Sequence, residues 1–418
     1  MPGKVVAAGS PSAALIAVLA LLNAVAPFSI DMYLSAFPQM AEEFGTSASM
    51  IQLTLTTFLV GLAVGQLVIG PLSDRYGRRG PLLIGTLLCL AASALCIVAP
   101  SIEILVGLRF AQGFAGAAGV VLARAIIADR ARGADAARLF AVMMLISVLA
   151  PITAPMLGGA VVTTVGWRAV FAVLALMNLL MLLGVVFFAP ESLPAERRRP
   201  GGLDAFLTSA RSVLGNRHYI GYTLTMAFAA GAMFAYISAS PFVLQNIIGL
   251  SPGMYSLTFG SCALAVGAGS AISARLVKSV SPRSVLRGGV FAMVTVTTLL
   301  LVTVTVGHVT AWATIGLMAC FMGSVGFIYA NAAMLATTEV RHAAGTGSAV
   351  LGFLQYGTGA LTPPLVGLAG QADAVPMGVV MFGFALLAAA SFVLLTRGHV
   401  PRDEAEEAAA VCEPAVTG

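Results

Sequence analysis

The sequence predicts an all-α polytopic membrane protein, on two observations: its composition and its long apolar runs. Of its 418 residues, 59% are hydrophobic and only 9% are Asp, Glu, Lys or Arg, whereas an ordinary soluble domain carries about 25% charged residues. Disorder is excluded because disordered chains are poor in apolar residues. Runs such as 82–99 and 170–189 are apolar on every side, which favours helices over the alternating strands of a membrane barrel.

Twelve apolar runs lie between charged or Gly/Pro-rich breaks, and each can supply the roughly 20 residues that a membrane-spanning helix needs. The first six helices are predicted near residues 12–37, 49–72, 81–99, 103–128, 137–163 and 167–189. The other six are predicted near 219–241, 254–276, 284–306, 310–335, 346–369 and 375–396. Together they leave no room for a separate soluble domain.

The polar stretch 190–217 divides the predicted helices into six on each side. We therefore predict an N-terminal six-helix bundle over 1–189, a central loop over 190–217, a C-terminal six-helix bundle over 218–397 and a tail over 398–418. If the N-terminus is inside, all Lys and Arg residues except Arg109 and Arg168 fall in cytoplasmic segments. Because Lys and Arg concentrate on the cytoplasmic side of membranes, we predict a cytoplasmic loop, a cytoplasmic tail and both termini inside. This rule also accounts for the net charge of +5, so we expect no nucleic-acid partner.

Motifs of enzymes and metal sites are absent from the sequence. Its cysteines form no CxxC pair and its four histidines are too scattered for a metal site. No HExxH, GxSxG or P-loop pattern occurs. We therefore expect no enzymatic activity, no cofactor and no bound metal. Four of the five cysteines lie in apolar runs, where we expect packing residues; the five are Cys89, Cys96, Cys262, Cys320 and Cys412.

A charged loop joins the second and third predicted spans and reads Gly70-Pro-Leu-Ser-Asp-Arg-Tyr-Gly-Arg-Arg79. Gly77 can supply the tight turn that a short loop needs. Asp74 can pair with Arg75 or Arg78, can be linked to Asp129 through a basic residue, or can face the N-terminus of another helix. The simpler interpretation is a positive-inside anchor with one incidental acid.

Two charged residues lie inside predicted spans. Arg109 lies about six residues inside the fourth span, where an arginine at mid-bilayer costs about 3 kcal/mol, so we expect it to face a cavity or a partner, with Gln112 on the same face. The alternative is that Arg109 snorkels to the outer interface. Asp31 has long apolar flanks on both sides in the first span. The alternative interpretation is that the first helix ends early and Asp31 lies at the hydrated membrane interface.

The fifth predicted span contains Ala150-Pro151-Ile-Thr-Ala-Pro155-Met-Leu-Gly158-Gly159. Two prolines four residues apart remove backbone donors from one face, and the paired glycines allow close backbone approach. A role in packing alone, without a bearing on transport direction, remains the alternative.

These patterns resemble signatures of a known family. The loop 70–79 resembles the major facilitator superfamily signature G-x-L-x-D-R-x-G-R-R/K, and the stretch around Arg109 resembles the helix 4 motif of that superfamily. The stretch 150–159 is similar to the helix 5 signature of drug and proton antiporters, although Ala154 replaces its first glycine. Together with Ser-Ile-Asp31-Met-Tyr-Leu, Pro190-Glu-Ser-Leu-Pro-Ala-Glu-Arg and Ala235-Tyr-Ile-Ser-Ala-Ser-Pro-Phe242, they resemble the Bcr/CflA group of bicyclomycin- and chloramphenicol-resistance transporters.

The resemblance covers nearly the whole chain and implies the major facilitator fold, in which two six-helix bundles move around a central cavity. It implies a monomeric, proton-driven exporter of drug-like molecules in the bacterial cytoplasmic (inner) membrane, powered by the proton gradient. It assigns a cytoplasmic gate to Asp74, Arg75, Gly77 and Arg78, with Asp129 as their partner. It also implies proton and substrate coupling at Asp31 and proton transfer at Arg109, beside which we place Gln112. The second-half counterpart of the loop, 275–287, has the bases but lacks the glycine and the acid.

The substrate cavity should be mainly apolar and aromatic with a few polar groups. Our candidates for its wall are Asn23, Tyr33, Met144, Phe234, Tyr236 and Asn331. A proton-coupled importer of a sugar or metabolite on the same fold is the alternative, but it would need more polar side chains inside the spans. A membrane enzyme or a scaffold would not need the charged loop and the fifth-span motif together.

Overall fold

The structure is a computed structural model that describes residues 13–130, 133–198, 202–307, 310–367 and 373–397. The predicted tail 398–418, residues 199–201 of the predicted central loop, and Cys412 lie outside these ranges. The described residues form fourteen α helices: α1 Ala13–Asp31, α2 Phe37–Glu43, α3 Ala48–Tyr76, α4 Arg79–Ile97, α5 Ile102–Arg130, α6 Gly133–Thr164, α7 Trp167–Phe188, α8 Gly202–Leu214, α9 Arg217–Phe242, α10 Pro252–Leu276, α11 Pro282–Thr305, α12 Ala311–Glu339, α13 Ala344–Gly367 and α14 Val375–Leu395.

The all-helical fold class is confirmed. Within the described part of the chain, eleven helical segments are long and apolar enough to cross a membrane. The remaining predicted span, 346–369, coincides with α13, whose 24 residues extend about 36 Å at 1.5 Å per residue. Its glycines, threonines and prolines make α13 less apolar than the others, although its length suffices for a bilayer.

The first predicted span differs from the structure in one respect that matters for the site. The prediction of one helix over 12–37 is wrong, because α1 ends at Asp31 and a short 3₁₀ turn, Leu34–Ala36, leads into α2. Pro38 then occupies the first turn of α2, where a proline is well tolerated. The break is buried throughout: Asp31 is 5% exposed and Tyr33 is fully covered. The α helix is therefore interrupted after an acid that is not at a wet interface.

Helix α8 lies within the stretch that the sequence assigns to a central polar loop. Its buried side chains, Ala210 and Val213, are three residues apart and follow Phe206 at a helical spacing. Because many charged residues surround this short helix, the helical spacing of its apolar residues is hard to recognise in the sequence.

By backbone contacts, the chain divides into two compact units. The first contains the described residues up to Ala205 together with Ser240–Ser261, and the second contains Phe206–Ala239 and most of the described residues beyond Ser261. The division into two six-helix bundles stays a prediction.

In the first unit, α3 and α5 pack closely over most of their length, and Gly113 of α5 makes this possible. A Cβ atom at Gly113 would overlap the backbone carbonyl of Phe58 on α3. Only a glycine therefore allows the two backbones to approach at this level. The close approach brings the Phe58 ring beside Arg109, one helical turn before Gly113.

Candidate functional site

Asp31 lies where α1 ends, deep in the first unit. Its side chain is almost fully buried, and no salt bridge in the described part of the chain includes it. The neighbouring Tyr33 hydroxyl lies 3.1 Å from Thr54 Oγ1 on α3, and its ring packs edge-on against Phe37, with 5.0 Å between the ring centroids. These contacts fix the turn that follows Asp31.

Arg109 of α5 is completely buried, so it does not snorkel to the surface. Its Nη1 donates to Oε1 of Gln112 at 2.5 Å, and its Nη2 donates to the backbone carbonyl of Ser29 on α1 at 2.8 Å. Its guanidinium carbon lies 4.3 Å from the Tyr33 ring centroid and 4.4 Å from that of Phe58. Two aromatic faces and two neutral oxygens therefore hold this cation.

A polar network holds the amide group of Gln112 in place. Its Nε2 donates to Ser93 Oγ on α4 at 2.7 Å, and Asn178 of α7 donates to the same oxygen at 3.2 Å. Ser93 in turn donates to the carbonyl of Cys89 at 2.7 Å. Three helices thus orient the amide that faces Arg109. Sequence reasoning missed Ser93 and Asn178, although Asn178 is the one amide within the apolar run 170–189.

Helix α6 packs against α1 at two levels. Asn23 donates to the Met143 carbonyl at 3.2 Å and to Ser147 Oγ at 2.9 Å. The second contact is at Gly158 of α6, where a Cβ atom would overlap the carbonyl of Met32, the residue after Asp31. The fifth-span motif therefore contacts the break in α1.

The other motif residues of α6 occupy different surroundings. Gly159 faces Ser256 of α10, in the part of α10 that belongs to the same unit. Pro151 and Pro155 lie inside α6, which continues through both. Because the helix stays unbroken, neighbouring groups or a local adjustment must compensate for the donors that the prolines lack.

The charged loop between α3 and α4 is organised around Arg78. Its Nη1 lies 2.6 Å from Asp74 Oδ1 and its Nε lies 3.0 Å from Asp129 Oδ2 at the end of α5. Gly77 ends α3 with φ +93°, a conformation that favours glycine. Arg75 lies outside this cluster, with its guanidinium carbon 5.3 Å from the Tyr76 ring centroid.

Glu191 completes the cluster and was not among the predicted site residues. Its carboxylate accepts hydrogen bonds from the backbone N–H groups of Arg78 at 2.8 Å and Arg79 at 3.2 Å, at the start of α4. Burial raises the pKa of Glu191, but the backbone donors of Leu193, Arg78, Arg79 and Ser192 hold that pKa below its ordinary value. The Pro190-Glu-Ser-Leu-Pro phrase was visible in the sequence, but its partner was not.

Of the six residues predicted to line a cavity, three lie in the second unit, where all three are buried. The Phe234 ring lies 6.2 Å from that of Tyr356, and the Tyr236 ring lies 6.3 Å from that of Phe321. Asn331 donates to Ser273 Oγ at 2.7 Å.

Met144, on α6 in the first unit, is 69% exposed. A cavity of about 620 Å³ in the first unit is lined by other residues, among them Ser35, Gln39, Glu42, Gln245 and Asn246. The substrate cavity itself stays a prediction.

The sequence of this chain is similar to those of known membrane transporters. The sequence model of the Major Facilitator Superfamily matches residues 19–363. The "Uncharacterized MFS-type transporter YdgK" of Bacillus subtilis is 39% identical over 94% of this chain and 98% of its own. A "Bicyclomycin resistance protein homolog" of Haemophilus influenzae is 29% identical over 90% and 95% of the two chains. A "Chloramphenicol resistance protein" of Pseudomonas aeruginosa is 33% identical over 70% and 68%.

Solved structures agree in fold. A bacterial homolog of the human lysosomal transporter Spinster superposes with a TM-score of 0.73 at 16% identity, covering 92% of this chain and 96% of its own. A D-xylose-proton symporter gives a TM-score of 0.71 at 15% identity, with 93% and 99% covered.

Proposed function

Because this chain belongs to the major facilitator superfamily, we propose that it exports small drug-like molecules in exchange for protons. It is a multi-pass membrane transporter and not an enzyme. The predicted resemblance to drug:proton antiporters of the Bcr/CflA type is confirmed by the relatives named for bicyclomycin and chloramphenicol resistance. Molecules of these two types are the proposed substrates.

The observation that carries the proposal is a buried acid, Asp31, two residues after the carbonyl that a buried arginine holds; no salt bridge in the described part of the chain includes either side chain. Asp31 ends α1, and Arg109 holds α1 two residues earlier through the Ser29 carbonyl. When Asp31 carries a proton, the site has the positive charge of Arg109 alone. When Asp31 releases it, a negative charge appears next to the segment that Arg109 holds, and attraction between the two favours a shift of α1.

Substrate export can use this shift. In the proposed cycle, a drug molecule engages the ionised Asp31 region from the inside, and a proton from outside displaces it after the protein opens outward. Because proton and drug compete for one state of Asp31, the two move in opposite directions. Gln112 and the Ser93–Asn178 pair keep Arg109 in position during the exchange. We further propose that Asn23, Tyr33, Met144, Phe234, Tyr236 and Asn331 are reached by substrate in some state of the cycle.

The Arg78 cluster is the proposed cytoplasmic gate. Its two acids and Glu191 join the ends of α3, α4 and α5 to the segment after α7. We place this cluster, the central segment 190–217 and both termini on the cytoplasmic side, in a monomer of the bacterial inner membrane. The proton gradient supplies the energy, and no cofactor takes part.

Host tolerance tests the direction of transport. A drug-sensitive bacterium that expresses the wild-type chain should tolerate more chloramphenicol or bicyclomycin, and one that expresses Asp31→Asn should not. Asp373→Asn is the matched control, because Asp373 is an exposed acid just before α14. No gain of tolerance, together with growth on a scarce sugar or metabolite, would contradict export and favour the proton-coupled importer.

A further inference from the structure

One arginine of the charged loop takes no part in the Arg78 cluster. Asp74 and Asp129 are both engaged by Arg78, and no salt bridge in the described part of the chain includes Arg75. Its exposed guanidinium lies over the ring of Tyr76, the last residue of α3. A cation at this place is available to a ligand rather than to the gate.

Tyr76 also lines an apolar groove. The groove has a volume of about 390 Å³ and runs between α3, α4 and α5. Its walls include Leu72 and Ile84, which are 42% and 62% exposed. Gly80 also lines the groove, and a Cβ atom there would meet nothing within 4 Å. In a membrane protein, such an exposed apolar groove faces lipid tails.

We propose that this groove binds an acyl chain of an anionic phospholipid whose phosphate pairs with Arg75. The charge beside Tyr76 is complementary, because the exposed Arg75 lies over its ring while the nearby acid, Asp74, is already paired. A guanidinium matches a phosphate through two parallel hydrogen bonds. Aromatic residues such as Tyr76 favour the boundary between tails and headgroups. Basic sites beside membrane-spanning helices are suited to anionic lipids.

Lipid binding to the purified full-length protein tests the proposal without any transport assay. Native mass spectrometry in detergent would compare dioleoyl phosphatidylglycerol with dioleoyl phosphatidylcholine. For Arg75→Gln we expect about fivefold weaker phosphatidylglycerol binding, equivalent to about 1 kcal/mol, with phosphatidylcholine unchanged. Arg75→Lys should retain most of the preference. Arg211→Gln is the matched control, because Arg211 is an exposed arginine on α8, and it should bind both lipids as the wild type does.

A second variant tests the groove itself. Gly80→Leu adds a side chain into the open space and should weaken both lipids, while its thermal midpoint in lipid-free detergent stays close to the wild-type value. Two outcomes would overturn the proposal. The first is an unchanged preference for phosphatidylglycerol in Arg75→Gln. The second is full competition by glycerol phosphate, which would assign the site to a soluble phosphate instead.

Discussion

Two arginines of the first unit, Arg78 and Arg109, are held in opposite ways. Arg78 donates to two carboxylates, those of Asp74 and Asp129, at 2.6 and 3.0 Å. Arg109 is fully buried, yet its polar contacts are an amide oxygen and a carbonyl oxygen, and its flat faces lie against aromatic rings. Carboxylates engage one positive charge, and neutral oxygens together with aromatic faces hold the other.

In the proposed cycle, the Arg78 cluster is a latch that closes the cytoplasmic side, whereas Arg109 senses the charge of Asp31. Arg78 and its two acids form a local ion-pair cluster, whose strength we expect to be independent of the protonation of Asp31. No salt bridge between described residues includes Arg109, and a buried unpaired charge costs several kcal/mol unless other groups compensate. We therefore expect its position to respond when Asp31, two residues beyond its α1 contact, gains or loses a proton.

Arg109→Gln should abolish drug-driven proton movement in proteoliposomes. The change removes the positive charge, the hydrogen bond to Ser29 and the stacking on Tyr33. Arg109→Lys should also fail, because an ammonium cannot donate in two fixed directions while lying flat between two rings. Arg78→Lys is the comparison, and it should keep measurable coupling at a lower rate. Equal coupling in Arg109→Lys and wild type would remove the distinction between the two arginines.

The two acids of the latch should differ in their contribution to stability. Asp129 is 13% exposed and Asp74 is 43% exposed, so water screens the second pair more strongly. Asp129→Asn should cost about 1.5–3 kcal/mol, as expected for a hydrogen bond to a charged group, and Asp74→Asn should cost less. Thermal midpoints in detergent would rank the two variants. A larger loss for Asp74→Asn would contradict this electrostatic description of the latch.

Glu191 should give the latch a dependence on pH. Its pKa is lowered from 4.5 in the folded protein, so it contributes stability above pH 4.5 that is lost as the pH falls through the folded value. Glu191→Gln should therefore be less stable than wild type near neutral pH, and the difference should shrink below pH 4.5. Thermal melts across that range measure the difference. Glu196→Gln, at an exposed acid nearby, is the control, and a Glu191→Gln difference independent of pH would contradict the assignment.

Tyr33→Phe should have the smallest effect. The change removes the hydrogen bond with Thr54 but keeps the ring beside Arg109, so a loss of about 0.5–1.5 kcal/mol in stability is expected, with coupling retained. Tyr33→Ala removes the ring as well and should reduce coupling. Equal proton movement in the two variants would mean that the aromatic face does not hold Arg109.

Much of the fold follows from hydrophobicity, because each span must satisfy its own backbone in lipid. Helix α7, predicted over 167–189, is observed over Trp167–Phe188. The break after Asp31 could not be predicted, since residues 32–40 read as a continuation of the apolar run. Its conformation depends on contacts with other helices, such as that between Tyr33 and Thr54.

The contacts of the candidate site also fall into those that the sequence predicts and those that it does not. Neighbours on one helix were predictable, and Gln112 contacts Arg109 from three residues away. The link from Asp74 through Arg78 to Asp129 was also among the pairings open to the charged loop. Partners from distant segments were not predictable: Ser29, Phe58 and Glu191 reach the two arginines only through helix packing.

The most direct test of proton exchange at Asp31 is drug-induced proton movement in proteoliposomes with an imposed pH gradient. Chloramphenicol, bicyclomycin and a cationic dye would be added to wild type, Asp31→Asn and Asp373→Asn. We predict that at least one drug dissipates the gradient with wild type and Asp373→Asn, and that Asp31→Asn leaves the gradient intact. Dissipation by Asp31→Asn at the wild-type rate would contradict the account.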